Sequence, residues 1–214
     1  MDAIMLLKAD HKTVEQLFRK FEKSGDHALA HKRKLVDDIV RELSVHAAIE
    51  EQVFYPAVRA RAEDLSADVL RALEEHHVVK WLLSELDTMA PDAERFDAKV
   101  HVLMENVRAH VTEEEQYLFP EVKKAFKPQE LRQVGEALEL AKRAAPTHPH
   151  PAAPDTPPGN LLAGAVSAVM DMGRDALRTA RRKAETQVRK ATRRPARKPE
   201  PAMTMDSAGE SLPH

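Results

Sequence analysis

Apolar residues recur at helical spacing over most of the first 145 positions, and no window alternates with the two-residue period of a half-buried strand. A first helix is predicted from about Asp2 to Lys23, stopped by the turn signature Ser24-Gly25-Asp26. A second, from about Ala28 to Ala62, carries Leu35, Ile39, Leu43, Ile49 and Val53 at helical spacing. Ser66 is placed to cap a third, whose apolar positions Val69, Leu70, Leu73, Leu82, Leu83 and Leu86 run as far as Met89. Pro91-Asp92 breaks the chain, and a fourth helix spans about Ala93 to Phe126. Pro128 suits the first turn of a short fifth helix ending near Arg143. Long helices joined by short loops predict an all-α, up-down-up-down four-helix bundle with a short fifth helix.

The pattern changes after residue 145. Residues 146–159 contain THPHPAAPDTPPG, whose proline density forbids regular helix and reads as a linker. Charge divides at the same place. Residues 1–145 carry 22 Lys and Arg against 28 Asp and Glu, whereas residues 146–214 carry 11 against 7. The expected organisation is therefore a bundle over 1–145, a Pro-rich linker over 146–159 and a basic tail over 160–214. A helix over 160–191 would carry Leu162, Val166, Val169, Leu177 and Val188 as a stripe, ahead of an arginine-rich second half. Such a tail can solubilise, lie on an anionic surface, or dock on a protein partner. It contains no base-reading motif, so attraction to nucleic acid would be non-specific.

With no cysteine in the chain, disulfides, thiolate nucleophiles and cysteine-ligated metal clusters are excluded. The longest apolar run, near residues 161–170, is too short to span a bilayer, and MDAIMLLKADH turns polar too soon for a signal peptide. A cytoplasmic location is the expectation.

The chain also repeats itself. His46-Ala-Ala-Ile-Glu50-Glu51-Gln52-Val-Phe-Tyr-Pro56 matches His110-Val-Thr-Glu-Glu114-Glu115-Gln116-Tyr-Leu-Phe-Pro120 at an offset of 64. Asp10-His11-Lys12 matches Glu75-His76-His77 at an offset of 65. Helices one and two thus form a hairpin that helices three and four repeat. In each hairpin the two histidines lie about 17 residues from the intervening turn, or roughly 26 Å at 1.5 Å per residue, and so at matching heights. The glutamate four residues after the second histidine shares its face. His11, His46, Glu50, His76, His110 and Glu114 can therefore converge inside the bundle.

A single HxxxE is commonly a surface ion pair; six such groups at matched heights are costly to bury without a cation. Imidazole and carboxylate without thiolate suit iron, manganese, zinc or cobalt. The donors are too many for one tetrahedral zinc and too rich in histidine for calcium or magnesium. Two metal ions fit, each with two histidines and the glutamates bridging.

On these motifs, a histidine followed by HxxxE and then repeated, residues 1–126 resemble the hemerythrin-like, or HHE cation-binding, domain. The resemblance implies two iron ions, oxo- or hydroxo-bridged, held by His11, His46, His76 and His110 with Glu50 and Glu114 bridging. It also implies a small ligand: oxygen, nitric oxide or peroxide. Oxygen-carrying members place a further histidine four residues after the one on the third helix, where this chain has Lys80. That departure argues against simple reversible oxygen carriage.

Two function classes follow. One is a di-iron protein that senses or scavenges a small ligand, with peroxide decomposition or oxidase chemistry if it is an enzyme. The other is an iron storage or metal-sensing module without catalysis. No separate side-chain catalyst is visible. His77, the pair His27 and His31, and the pair His101 and Glu105 read as surface groups, as do Glu51, Glu113 and Glu115. Tyr117 falls on the His110 face as core packing or as a donor to a bound ligand, and Trp81, Phe18, Phe54 and Phe119 read as core aromatics.

Overall fold

A computed structural model describes residues 1–153 together with Asp171, Asp175, Thr179, Lys183 and Ala184. Among them, seven α-helices carry the fold: α1 (Ala3–Glu22), α2 (Leu29–Ile49), α3 (Tyr55–Arg61), α4 (Ser66–Thr88), α5 (Phe96–Glu113), α6 (Phe119–Ala125) and α7 (Pro128–Ala144). Two pairs run on through a single wide turn: α2 into α3 through Glu50–Phe54, and α5 into α6 through Glu114–Leu118. The result is the expected all-α bundle of four long helices with a short fifth. The Asp2 carboxylate caps α1 by accepting from Met5 N at 2.8 Å. Ser66 makes no such cap; a 3₁₀ turn at Glu63–Leu65 leads into α4 instead.

The wide turns were not legible as such. Each is a π-turn, in which Tyr55 N–H donates to Glu50 O and Phe119 N–H to Glu114 O. Each lies directly before a proline, Pro56 or Pro120. Proline lacks the N–H and crowds the carbonyl four residues back, and one extra residue in the turn relieves both problems. The insertion shifts the register of everything after it.

Two apolar cores are stacked along the bundle. One gathers Leu7, Ile49, Phe54, Tyr55, Val69, Leu73, Leu118, Phe119 and the inner face of α7. The other gathers Val14, Phe18, Leu43, Val79, Leu83, Phe96, Leu103 and Val107. Each long helix passes from one core to the other at its histidine.

Helix α7 closes one end by crossing the start of α1 at Gly135. A Cβ at Gly135 would stand 2.3 Å from Met1 O and 2.9 Å from Ala3 N. Glycine in mid-helix is ordinarily disfavoured against alanine by about 1 kcal/mol, so the contact decides the sign of a substitution here. Gly135→Ala is expected to lower stability by about 1–3 kcal/mol, read as a lower urea midpoint by circular dichroism.

A compact unit spans Met1–Asp175. Within it, Thr147 N–H and His148 N–H both donate to Asp171 Oδ2 at 3.0 Å, and His148 bridges Asp87 and Asp175. The second unit, Ala176–His214, contains Thr179, Lys183 and Ala184, which are helical and exposed. The rest of the expected basic tail lies outside the described residues. No helix among the described residues is long and apolar enough to cross a membrane.

Candidate metal centre

Between the two cores sits a polar layer. All six sequence-selected residues lie in it and all are buried: His11, His46, Glu50, His76, His110 and Glu114. The equal distances from the two turns translate into contact. His11 Nε2 meets His46 Nε2 at 3.2 Å, and His76 Nε2 meets His110 Nε2 at 3.1 Å. The carboxylates complete the layer. Glu50 Oε2 stands 3.1 Å from His46 Nε2 and 3.4 Å from His76 Nε2, and Glu114 Oε2 stands 3.3 Å from His11 Nε2 and 3.6 Å from His110 Nε2. Donor atoms converge within 4.8 Å in two groups, His11–His46–Glu50–Glu114 and Glu50–His76–His110, which share Glu50.

The other ring nitrogens explain why the Nε2 atoms face inward. His11 Nδ1 contacts Glu115 Oε1 at 2.9 Å, His76 Nδ1 contacts Glu51 Oε1 at 3.2 Å, and His110 Nδ1 contacts Glu75 Oε2 at 2.7 Å. His46 Nδ1 faces Asp10 Oδ2 at 3.8 Å. A carboxylate at Nδ1 favours the Nδ1–H tautomer, which leaves a lone pair on Nε2. Each carboxylate is in turn met by a cation: Glu115 by Lys8, Glu51 by Lys80, Asp10 by Lys142 of α7, and Glu75 by Arg71 at 4.0 Å.

These four carboxylates obey the repeat. Asp10 and Glu75 each precede a helix-one or helix-three histidine, and Glu51 and Glu115 each follow a motif glutamate. The recurrence of acid at both offsets was the available signal. Sequence reading instead assigned Glu51 and Glu115 to the solvated face, which is wrong: Glu51 is buried and Glu115 is half-buried against His11. The pairings cross between hairpins, Glu51 of the first holding His76 of the second and Glu115 of the second holding His11 of the first. Only packing creates them.

The π-turn likewise moves the tyrosine. Tyr117, expected on the His110 face, is 61% exposed because the inserted residue rotates it outward. Tyr55 takes the inner position and its hydroxyl donates to Glu114 Oε1 at 2.9 Å, with Glu50 Oε2 and His76 Nε2 each 3.4 Å away. Phe119 is its repeat counterpart and stacks on His11. Trp81, read from sequence as a core aromatic, is 52% exposed and its indole N–H donates to His77. Phe18, Phe54 and Phe119 are buried as expected, and His27, His31, His77, His101 and Glu105 are exposed.

Does this layer fit a cation? Inward lone pairs on paired imidazoles, beside two buried carboxylates, leave negative potential without a partner. Glu50 Oε1, Glu114 Oε2, Asp10 Oδ2 and His46 Nδ1 are buried and form no hydrogen bond among the described residues. Protons are then drawn in. Burial lowers the His46 and His76 pKa values, but Glu50 with Asp10 for His46, and Glu50 with Glu51 for His76, outweigh it and raise them to about 10 and about 9. Burial would raise the Glu50 pKa, yet His46 and His76 hold it well below the usual carboxylate range. Burial and Glu114 push Tyr55 up, so it keeps its proton. Metal ions would do this neutralisation with better geometry, and the donor set suits them.

On the other side of the four histidines lies a cavity of about 20 Å³, room for about one water-sized molecule. Val14, Leu43, Ala47, Val79, Val107 and Val111 wall it. A surface groove between α1 and α5 shares His11, Val14, Val107 and Val111 with that cavity, so a few valines separate it from solvent.

Known proteins agree with this architecture. A family model described as the hemerythrin HHE cation binding domain matches residues 2–122. An uncharacterized hemerythrin-like protein of Schizosaccharomyces pombe is 29% identical over 167 residues, covering 78% of this chain and 81% of that protein. A DNA nickase of Nostoc is 28% identical over 137 residues, which span 64% of this chain but 38% of the nickase. A crystal structure of a hemerythrin HHE cation binding domain-containing protein from Mycobacterium kansasii superimposes with a TM-score of 0.56 at 24% identity. That superposition covers 67% of this chain and 86% of the other, and shows the shared fold. With the family model spanning more than half its length, the chain belongs to the hemerythrin HHE cation-binding family.

Proposed function

We propose that the chain is a non-haem di-iron protein that binds or reacts with one small ligand (oxygen, nitric oxide or peroxide) in sensing, scavenging or a stress response. The observation that carries this reading is the pair of donor groups sharing Glu50. His11 and His46 would hold one ion, His76 and His110 the other, with Glu50 and Glu114 between them. Bound iron would supply the one-electron chemistry that amino-acid side chains lack.

The chain's own residues do the rest. Glu115, Asp10, Glu51 and Glu75 orient the imidazoles from behind. The valine-walled cavity excludes bulk water and admits only a ligand of a few atoms. Tyr55 holds a proton at its phenolic oxygen, directed at Glu114, and fixes that carboxylate. Lys80 does not enter the centre, since its ammonium is engaged by Glu51. The third-helix position that bears a ligand in oxygen carriers therefore contributes none here, in keeping with a ligand that is turned over or sensed.

Iron storage or metal sensing without catalysis is the second reading; the cations that back each outer carboxylate favour a tightly held centre over a releasing one. For the basic segment we propose non-specific attraction to an anionic surface or a protein partner, and for the chain a cytoplasmic setting. The deciding measurement is the absorption spectrum of the iron-loaded protein before and after peroxide. Near-ultraviolet bands with rapid peroxide loss support a reactive centre. Iron retained with no spectral response to peroxide, oxygen or nitric oxide would leave storage or metal sensing. A chain that takes up no iron would overturn both.

A further inference from the structure

We infer that Lys80 is a positioning residue: acting on His76 through Glu51, it tightens metal binding at the His76 half of the centre, as Lys8 does not at the His11 half. The inference rests on the proposed metal centre and extends it to an inequivalence between its halves. Lys80 Nζ lies 2.9 Å from Glu51 Oε1 and 3.0 Å from Oε2, so it touches both carboxylate oxygens. The side chains are only 10% and 7% exposed, and neither can swing into water without breaking the buried pair. Glu51 Oε1 is thereby fixed 3.2 Å from His76 Nδ1, and the ring's Nε2 is aimed at Glu50 and His110.

The repeat shows what is particular about this. Glu115 stands behind His11 as Glu51 stands behind His76, but its lysine differs in place and exposure. Lys8 precedes His11 by three residues, whereas Lys80 follows His76 by four. Lys8 is 42% exposed, where an ion pair is weak and exchanges with water. The repeat position of Lys8 on α4 is Leu73, and that of Lys80 on α1 is Glu15, which turns outward to Arg108. The repeat holds for the carboxylates but not for the cations. One histidine is therefore backed by a buried ion pair and its counterpart by a partly exposed one.

The test is titration of the metal-free full chain with cobalt(II), followed by its visible absorption. Wild type should take up two ions in two steps. Lys80→Met should weaken one step by about 10-fold, at the low end of the about 10–100-fold effect of losing an outer partner such as Glu51 itself. Lys8→Met should shift either step by no more than about threefold. Lys80→Arg should restore most of the loss. Exchanging a buried ion pair's lysine for methionine removes one partner of Glu51, so a second variant guards against misfolding. Glu51→Gln keeps the volume and should weaken the same step, and the double variant should weaken it no further than the stronger single one. Both cobalt steps at wild-type affinity in a folded Lys80→Met protein would overturn the inference, as would an equal loss in Lys8→Met. A wild-type chain that takes up no cobalt would overturn the metal centre itself, and the inference with it.

Discussion

Glu50→Ala should yield a protein that holds neither metal ion, whereas Glu114→Ala should retain about one per chain. The two glutamates are related by the repeat, yet the structure gives them unequal reach. Glu50 belongs to both donor groups, and its Oε2 touches a histidine of each hairpin. Glu114 belongs only to the group containing His11 and His46; its Oε2 also meets a histidine of each hairpin, but at 3.3 and 3.6 Å against 3.1 and 3.4 Å for Glu50. Removing Glu50 takes a ligand from both ions; removing Glu114 leaves Glu50, His76 and His110 for one. Each truncation takes a buried acceptor from the histidines, and Glu114→Ala also takes one from the Tyr55 hydroxyl, so circular dichroism of each metal-free variant is compared with wild type before metal is counted. Metal per chain after reconstitution and desalting, by plasma emission, reads the result. Equal stoichiometry in the two variants would show that the reach of Glu50 has no consequence for binding.

Stripping the metal should lower the melting temperature by on the order of 10 °C per ion, and the deficit should widen as pH rises. A ligand present at a thousandfold its Kd stabilises the native state by about 4 kcal/mol, and a domain of this size melts about 2–4 °C higher per kcal/mol. The pH dependence has a definite sign. In the metal-free chain the folded pKa values of His46 and His76 are raised from 6.5 to about 10 and about 9. Stability from these groups is fully present below pH about 6.5, the unfolded value, and is lost as pH climbs through the folded values. Metal ligation runs the other way, since imidazoles must shed their protons first. Melting curves of stripped and loaded protein between pH 6 and 9 should therefore diverge. Parallel curves would mean that protons and metal do not compete for these histidines.

The residues of the candidate site were legible because they obey two short-range rules. HxxxE is a helical spacing, and equal distance from a turn sets equal height in a hairpin. His11 and His46 meet at 3.2 Å, although 35 positions apart in the chain, for that reason alone. Tyr55 was missed and Tyr117 misplaced because π-turns before Pro56 and Pro120 break the 3.6-residue period on which both forecasts relied. Trp81 was misplaced because α4 is apolar on several sides, and its pattern does not say which side finds a neighbour.

By itself, then, the sequence determined the helices, the duplicated hairpin, its family and the six inward-facing histidines and glutamates, since each depends on chain-local geometry repeated at a fixed offset. Tertiary structure alone decided which carboxylate stands behind which histidine, that Glu50 reaches both groups, and that Lys80 closes on Glu51 instead of entering the centre. Those choices depend on how one hairpin is rotated against the other. Helical periodicity fixes the face of a residue but carries no information about which neighbouring helix will meet it.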